Sequence, residues 1–144
     1  MSKRIAVALA VAAAVTLAAH AALAARADTM KPLLVRTIVD AKLGEVLTTG
    51  TRQAIYVWNK EPKGAIKCKS ACAKMWPPVL VKRGVVVPMH PEGVMGGELG
   101  TIQRAAGVRQ LTFNGRALYT YAHEKPGQVL CNNVDGWFAV KVHG

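Results

Sequence analysis

Residues 54–61, AIYVWNKE, and residues 117–124, ALYTYAHE, obey one pattern, A-[IL]-Y-x-[WY]-x-x-E, with Tyr119 following Tyr56 by 63 positions. The correspondence runs past the tyrosines. Ala54 aligns with Ala117, Ile55 with Leu118, Trp58 with Tyr121 and Glu61 with Glu124, and Cys68 and Cys131 each lie twelve residues after their tyrosine. A two-residue deletion then sets Trp76-Pro-Pro-Val79-Leu-Val81 over Trp137-Phe-Ala-Val140-Lys-Val142. Self-similarity at a fixed period marks one supersecondary unit used more than once, and two copies are too few for a solenoid. The expectation is a small antiparallel β domain built from two related β-hairpin units, about 46–81 and 110–142, with one short helical turn.

Local patterning points the same way. Ile55 and Val57 alternate with Tyr56 and Trp58, so on a strand the two pairs face opposite sides of a sheet. Strands are expected at Leu33 to Val39, Val46 to Thr48, Ala54 to Trp58, Val79 to Val81, Val85 to Val87, Thr101 to Arg104, Arg109 to Phe113, Ala117 to Tyr121 and Trp137 to Val142. Asn114-Gly115 predicts a type I′ hairpin, because both central positions of that turn need a positive φ. Ser70 is expected to cap a helical turn from Ala71 to Met75, which Pro77-Pro78 stops. Residues 88–100, PMHPEGVMGGELG, read as loop.

The first residues predict export. Lys3 and Arg4 precede an apolar run from Ile5 to Leu23, and Ala22-Leu23-Ala24 and Ala25-Arg26-Ala27 each offer a small-x-small cleavage site. That order is a secretory signal, expected at 1–24 with 27 as the alternative end, leaving a single domain over 25–144. An uncleaved anchor is the competing reading, opposed by the Ala-rich run, by His20 and by the cleavage sites. No cysteine lies near those sites to take a lipid. A periplasmic or secreted protein with no membrane span after cleavage follows.

Losing Lys3 and Arg4 leaves 17 Lys+Arg against 8 Asp+Glu, a formal charge of +9. Much of it is concentrated at Lys60, Lys63, Lys67, Lys69, Lys74, Lys82 and Arg83, opposed within that run by Glu61 alone. Such a run either forms a solvated face or attracts anionic envelope components. Nucleic acid is not an expected partner, since no alternation of arginine and aromatic residues accompanies the charge.

Two tasks suit Tyr-x-[Trp/Tyr]-x-x-Glu. Positions one and three share a sheet face, and the carboxylate falls in the following turn, where it can accept from backbone N–H groups or a phenol. The motif therefore serves either as buried core plus turn, or as an aromatic ligand platform with an acidic rim. The residues in question are Tyr56, Trp58, Glu61, Tyr119, Tyr121 and Glu124.

The segments YVWNKE at 56–61, CKSACAKMWPP at 68–78, GTIQRAAG at 100–107, QLTFNGRALYTY at 110–121 and GWFAV at 136–140 resemble, in order, the bacterial predicted-lipoprotein family. That family is a secreted repeat of unknown function with the signature Y-x-[FWY]-x-x-D. Glu61 and Glu124 stand where the signature has Asp, which keeps the charge and lengthens the reach. A lipobox cysteine is absent. The resemblance implies an exported repeat module and supplies no activity or cofactor.

Three cysteines in an oxidising compartment invite one pair and leave one over. At i,i+4 on a helical turn two Cα atoms lie about 6 Å apart, within disulfide range. A structural Cys68–Cys72 bridge with Cys131 free is expected; Cys68–Cys131 is the alternative. Lys67 and Lys69 would favour the Cys68 thiolate if it were reduced. Met89, His90 and Met95 in the Gly-rich loop have the soft ligands that suit copper. No nucleophile elbow, phosphate loop, zinc motif or carboxylate pair is present. The expected function is a non-enzymatic binding or envelope-associated module without cofactor; the alternative is a periplasmic redox or copper-handling protein using Met89, His90, Met95 and the cysteines.

Overall fold

The computed structural model describes residues 35–143 apart from 95. The signal segment with both cleavage positions, the start of the first expected strand and Met95 lie outside the described residues. Among the described residues no helix is long and apolar enough to cross a membrane.

The molecule is mainly β, made of small antiparallel sheets and one short helix. In the first half, β1 (Val35–Asp40) and β2 (Gly44–Thr49) form a hairpin, followed by β3 (Tyr56–Trp58), α1 (Ala71–Met75) and β4 (Leu80–Val81). In the second, β5 (Leu99–Ala105) and β6 (Val108–Phe113) form a hairpin, followed by β7 (Arg116–Ala117) and β8 (Trp137–Ala139). Asp40 tightens the first hairpin, its Oδ1 accepting from the backbone N–H groups of Lys42 and Leu43 at 2.9 Å each. Asn114 and Gly115, with φ of 49° and 77°, make the primed turn between β6 and β7 that the Asn-Gly pair predicts.

The closing segment of each half joins the sheet of the other. Val79 N donates to Leu118 O at 2.9 Å while its carbonyl accepts from Leu111 N at 2.8 Å. In mirror fashion Val140 N donates to Ile55 O at 2.9 Å and its carbonyl accepts from Leu47 N at 2.8 Å. Between these two crossings Tyr56 and Tyr119 exchange both backbone bonds, at 2.8 and 3.0 Å. Related positions thus meet at a local twofold axis between the tyrosines.

Strand alternation divides the core accordingly. Tyr56, Tyr119, Trp76, Trp137, Cys68 and Cys131 pack on one face, and Ile55, Leu118, Leu47, Leu111, Val140 and Val142 on the other. Both faces are covered.

Each hairpin contributes an outer strand, β1 or β5, ahead of residues 46 and 110. Three local expectations change. Residues 85–87 form no regular strand; the Val85 carbonyl is held instead by Arg109 Nη2 at 3.0 Å. β7 stops at Ala117: Leu118 N still reaches Leu111 O of β6 at 3.0 Å, and Tyr119 then bridges Tyr56 and Pro78. Ser70 sits at φ 50° and makes no side-chain cap, so α1 starts without that hydrogen bond.

Candidate functional site

The six motif residues come together around the local axis. After β3 the chain turns, Glu61 N donating to Trp58 O at 3.1 Å, and this carries the Glu61 side chain under the opposite half. There its Oε1 accepts from the Tyr119 hydroxyl at 2.9 Å, from Cys68 N at 3.0 Å and from Lys67 N at 2.5 Å. The second half repeats the arrangement: Glu124 N donates to Tyr121 O at 3.3 Å, and Glu124 Oε1 accepts from the Tyr56 hydroxyl and from Leu130 N, both at 2.5 Å. Each tyrosine therefore bonds the glutamate of the other half.

Two further side chains complete the frame. Gln53 Nε2 spans the carbonyls of Tyr121 at 3.3 Å and Glu124 at 3.2 Å. Arg116 Nη2 spans the carbonyls of Trp58 and Glu61, both at 3.0 Å. Each residue stands three positions before its tyrosine, a regularity visible in the alignment of the two halves that the motif reading passed over. Arg104 and the buried Gln110 also escaped it; Arg104 links Gln110 Oε1 at 2.7 Å to the Cys68 carbonyl at 2.8 Å.

The aromatic rings fill the space between the halves. Trp76 and Trp137 stack at 3.9 Å and 10° on the local axis. Tyr56 meets Trp76 edge-on at 5.4 Å, and Tyr119 meets Trp137 edge-on at 5.2 Å. Trp58 extends the stack against Trp137 at 5.4 Å, and Tyr121 lies against Trp76 at 4.9 Å. Both tyrosines are fully buried and both glutamates nearly so. The phenol–carboxylate pairs thus have the geometry of core plus turn, with no open face for a ligand.

Burial governs their ionisation. It pushes the Tyr119 phenol up to about 12 from an ordinary value of 10.0, with the hydrogen bond to Glu61 adding to the rise. The Tyr56 phenol is raised further, first by burial and then by its bond to Glu124. Burial also raises the Glu124 carboxyl, against the opposing pull of the Tyr56 hydroxyl and Leu130 N. A phenol that holds its proton more tightly when folded leaves stability unchanged below pH 10, where the unfolded phenol is also protonated. Above that the unfolded state gains by ionising, so stability falls at about 1.4 kcal/mol per pH unit for each such tyrosine. Thermal melting from pH 9 to 12 should decline along that slope, and Tyr119→Phe should remove one tyrosine's share. Parallel declines in variant and parent would contradict the assignment.

Cys68 and Cys72 are bridged, with Cα atoms 5.2 Å apart. Cys131 is a free, buried thiol whose pKa burial raises, so its neutral form is favoured. Met89 is exposed, and exposed His90 places Nε2 3.9 Å from Glu98 Oε1. Met95 lies outside the described residues, and among those described no three His, Cys, Asp or Glu side chains cluster to hold a metal. His123 lies edge-on to Tyr121 at 5.5 Å.

Set against family models, curated proteins and solved structures, the chain matches none. Its chemistry is therefore read from its own side chains.

Lys60, Lys63, Lys67, Lys69 and Lys74 are all exposed, as are Lys82 and Arg83. Among the described residues none of them has a carboxylate within 4.0 Å. Glu61, the one acid in that run, is 2% exposed and turned inward. The motif and the basic run are thus mechanically linked: the same carboxylate that accepts Lys67 N and Cys68 N organises the loop displaying these cations.

Proposed function

We propose that the protein is an exported, non-enzymatic module of two repeats that binds anionic envelope components, lipid headgroups or lipopolysaccharide, through the lysines of the loop around Cys68. The observation that carries this reading is the burial of Glu61, which leaves Lys60, Lys63, Lys67, Lys69 and Lys74 without a countercharge on an exposed loop. The Cys68–Cys72 bridge ties the loop carrying Lys67 and Lys69 to α1, which carries Lys74, and a cluster of basic side chains near an anionic surface contributes about 1 kcal/mol for each residue. Matching hydrogen bonds at related positions support a duplicated unit, in keeping with the secreted repeat family that the sequence resembles. The Cys68–Cys72 bridge suits an oxidising compartment. Both phenols and the Oε1 atoms of both motif carboxylates are engaged in mutual bonds, and all four groups are buried, so they supply no exposed acid–base pair, which supports a binding role over catalysis.

Sedimentation with vesicles tests the proposal. Protein isolated from the periplasm, beginning at Ala25 or Asp28, should bind phosphatidylglycerol vesicles at low salt and release them as ionic strength rises. Replacing Lys63, Lys67, Lys69 and Lys74 together by Gln should weaken binding at least a hundredfold, from about 1 kcal/mol for each charge. Equal binding to phosphatidylcholine vesicles would defeat it.

A further inference from the structure

An open cleft of about 530 Å³ lies where β8 crosses the first half beside the turn between β6 and β7, a turn that also meets the lysine loop through Gly64 N and Gly115 O at 2.9 Å. Its lining includes the apolar side chains of Val57, Phe113 and Phe138 and the polar ones of Arg116, Lys141 and Asn132, and contains no carboxylate. We infer that this cleft binds a small organic anion, a carboxylate or phosphate monoester carried on a flat apolar body.

The local twofold supplies the argument, because it provides an internal control for what folding alone requires. Arg116 and Gln53 perform one structural task, each spanning two carbonyls of the opposite motif. A neutral amide suffices for it at position 53. The positive charge at 116 is surplus to the fold, and both carbonyl bonds use Nη2, leaving Nη1 and Nε without a partner among the described residues. No carboxylate among the described residues lies within 4.0 Å of Arg116 or Lys141. A half-buried guanidinium and a lysine lining one cleft, with no carboxylate within 4.0 Å of either among the described residues, favour an anion, and the guanidinium offers the fork that matches a carboxylate or phosphate.

The other differences between the halves lead to the same ligand. Lys141 occupies the position of Leu80, and Phe138 that of Pro77, on strands whose backbone bonds correspond. Cation and ring thus both belong to residues that line the cleft in this half, where the other half has neither. Asn132 accepts from Ala139 N at 3.1 Å through Oδ1, which fixes the amide and leaves Nδ2 as a donor. The combination of an apolar lining, a few fixed polar groups and a volume of some hundreds of Å³ is that of a small-molecule site. The lining includes none of the lysines of the basic run, although Arg116 also holds the carbonyls of Trp58 and Glu61 at the start of that loop.

The test titrates the isotopically labelled full domain with benzoate, phenyl phosphate, inorganic phosphate and benzamide, following the Asn132 side-chain amide and the Val57 and Phe138 backbone by NMR. Benzoate or phenyl phosphate should give saturable shifts at those three residues, and which of them binds tighter identifies the headgroup. Arg116→Gln, borrowing the residue of the other half, should weaken that binding at least tenfold while leaving the melting temperature near that of the parent. Lys141→Leu, likewise borrowed and at an exposed position, should weaken it several-fold and carries the test alone should Arg116→Gln unfold. Absence of saturable shifts, benzamide or inorganic phosphate binding as tightly as the aromatic anions, or variants that bind like the parent would each overturn the inference.

Discussion

Fragments 25–83 and 84–144, made by cutting the exposed turn at Arg83–Gly84, should each be unfolded alone and should fold when mixed. The reason is the crossing of the closing segments. Fragment 25–83 would keep its β1–β2 hairpin and β3 but lose Val140, whose N–H and C=O bond Ile55 and Leu47. Fragment 84–144 would lose Val79, which does the same for Leu118 and Leu111. Each would also expose one member of the Trp76–Trp137 stack and orphan one phenol and one glutamate. A lone hairpin is marginal in water, and a piece half the size of a small domain buries too little surface to offset its chain entropy. Near-UV circular dichroism should therefore be flat for either fragment and native-like for the equimolar mixture. A cooperative melt of either fragment by itself would refute the crossed architecture.

Replacing Glu61 by Ala should destabilise the domain by about 3–5 kcal/mol, since three donors lose their acceptor and each buried unsatisfied group costs about 1–3 kcal/mol. Those donors are the Tyr119 hydroxyl, Lys67 N and Cys68 N, and all three lie in or beside the core. Against a typical total of about 5–15 kcal/mol, that loss takes much of the stability. Glu61→Gln retains an acceptor oxygen and should cost far less, which separates the hydrogen bonds from the charge. Urea midpoints at pH 7 measure both. An Ala variant within about 1 kcal/mol of the parent would mean that water replaces the carboxylate without penalty. The vesicle assay adds a second readout, because the lysine loop is organised by the same oxygen.

Much of this architecture was legible before any coordinates. The alternation of Ile55 and Val57 with Tyr56 and Trp58 matches the division of the core into two faces, since the period of a strand is a property of the backbone. Asn114-Gly115 makes its turn because only certain residues tolerate two successive positive φ angles. Cys68 and Cys72 are bridged as their short spacing allows, although only Cys72 lies in α1 and Cys68 precedes the turn at Ser70, so the helical turn expected for the pair is not what joins them. Other features depended on distant contacts. Residues 85–87 have the composition of a strand yet pair only through a single bridge at Val86, and Arg109 takes the Val85 carbonyl. Ser70 has the chemistry of a cap, but its backbone at φ 50° turns it away from α1.

The cleft was hidden for a related reason. Arg116, Asn132 and Lys141 belong to three separate segments, and neither spacing nor periodicity connects them. Gln53 and Arg116 could have been found from their shared offset before each tyrosine, although nothing local indicates that both reach carbonyls of the opposite half.

Sequence alone determined that the chain is mainly β, which residues of its central strands point to which face, and where the Asn-Gly turn falls, because all of these follow from short-range backbone geometry and burial. Only the tertiary structure decided which copy serves which. A phenol of one unit can reach a carboxylate of its own or of the other with the same residues, and a closing strand can complete either sheet with the same pattern. Loop paths and the packing of Trp76 on Trp137 select the crossed arrangement, and long-range packing of that kind is written into no single stretch of chain.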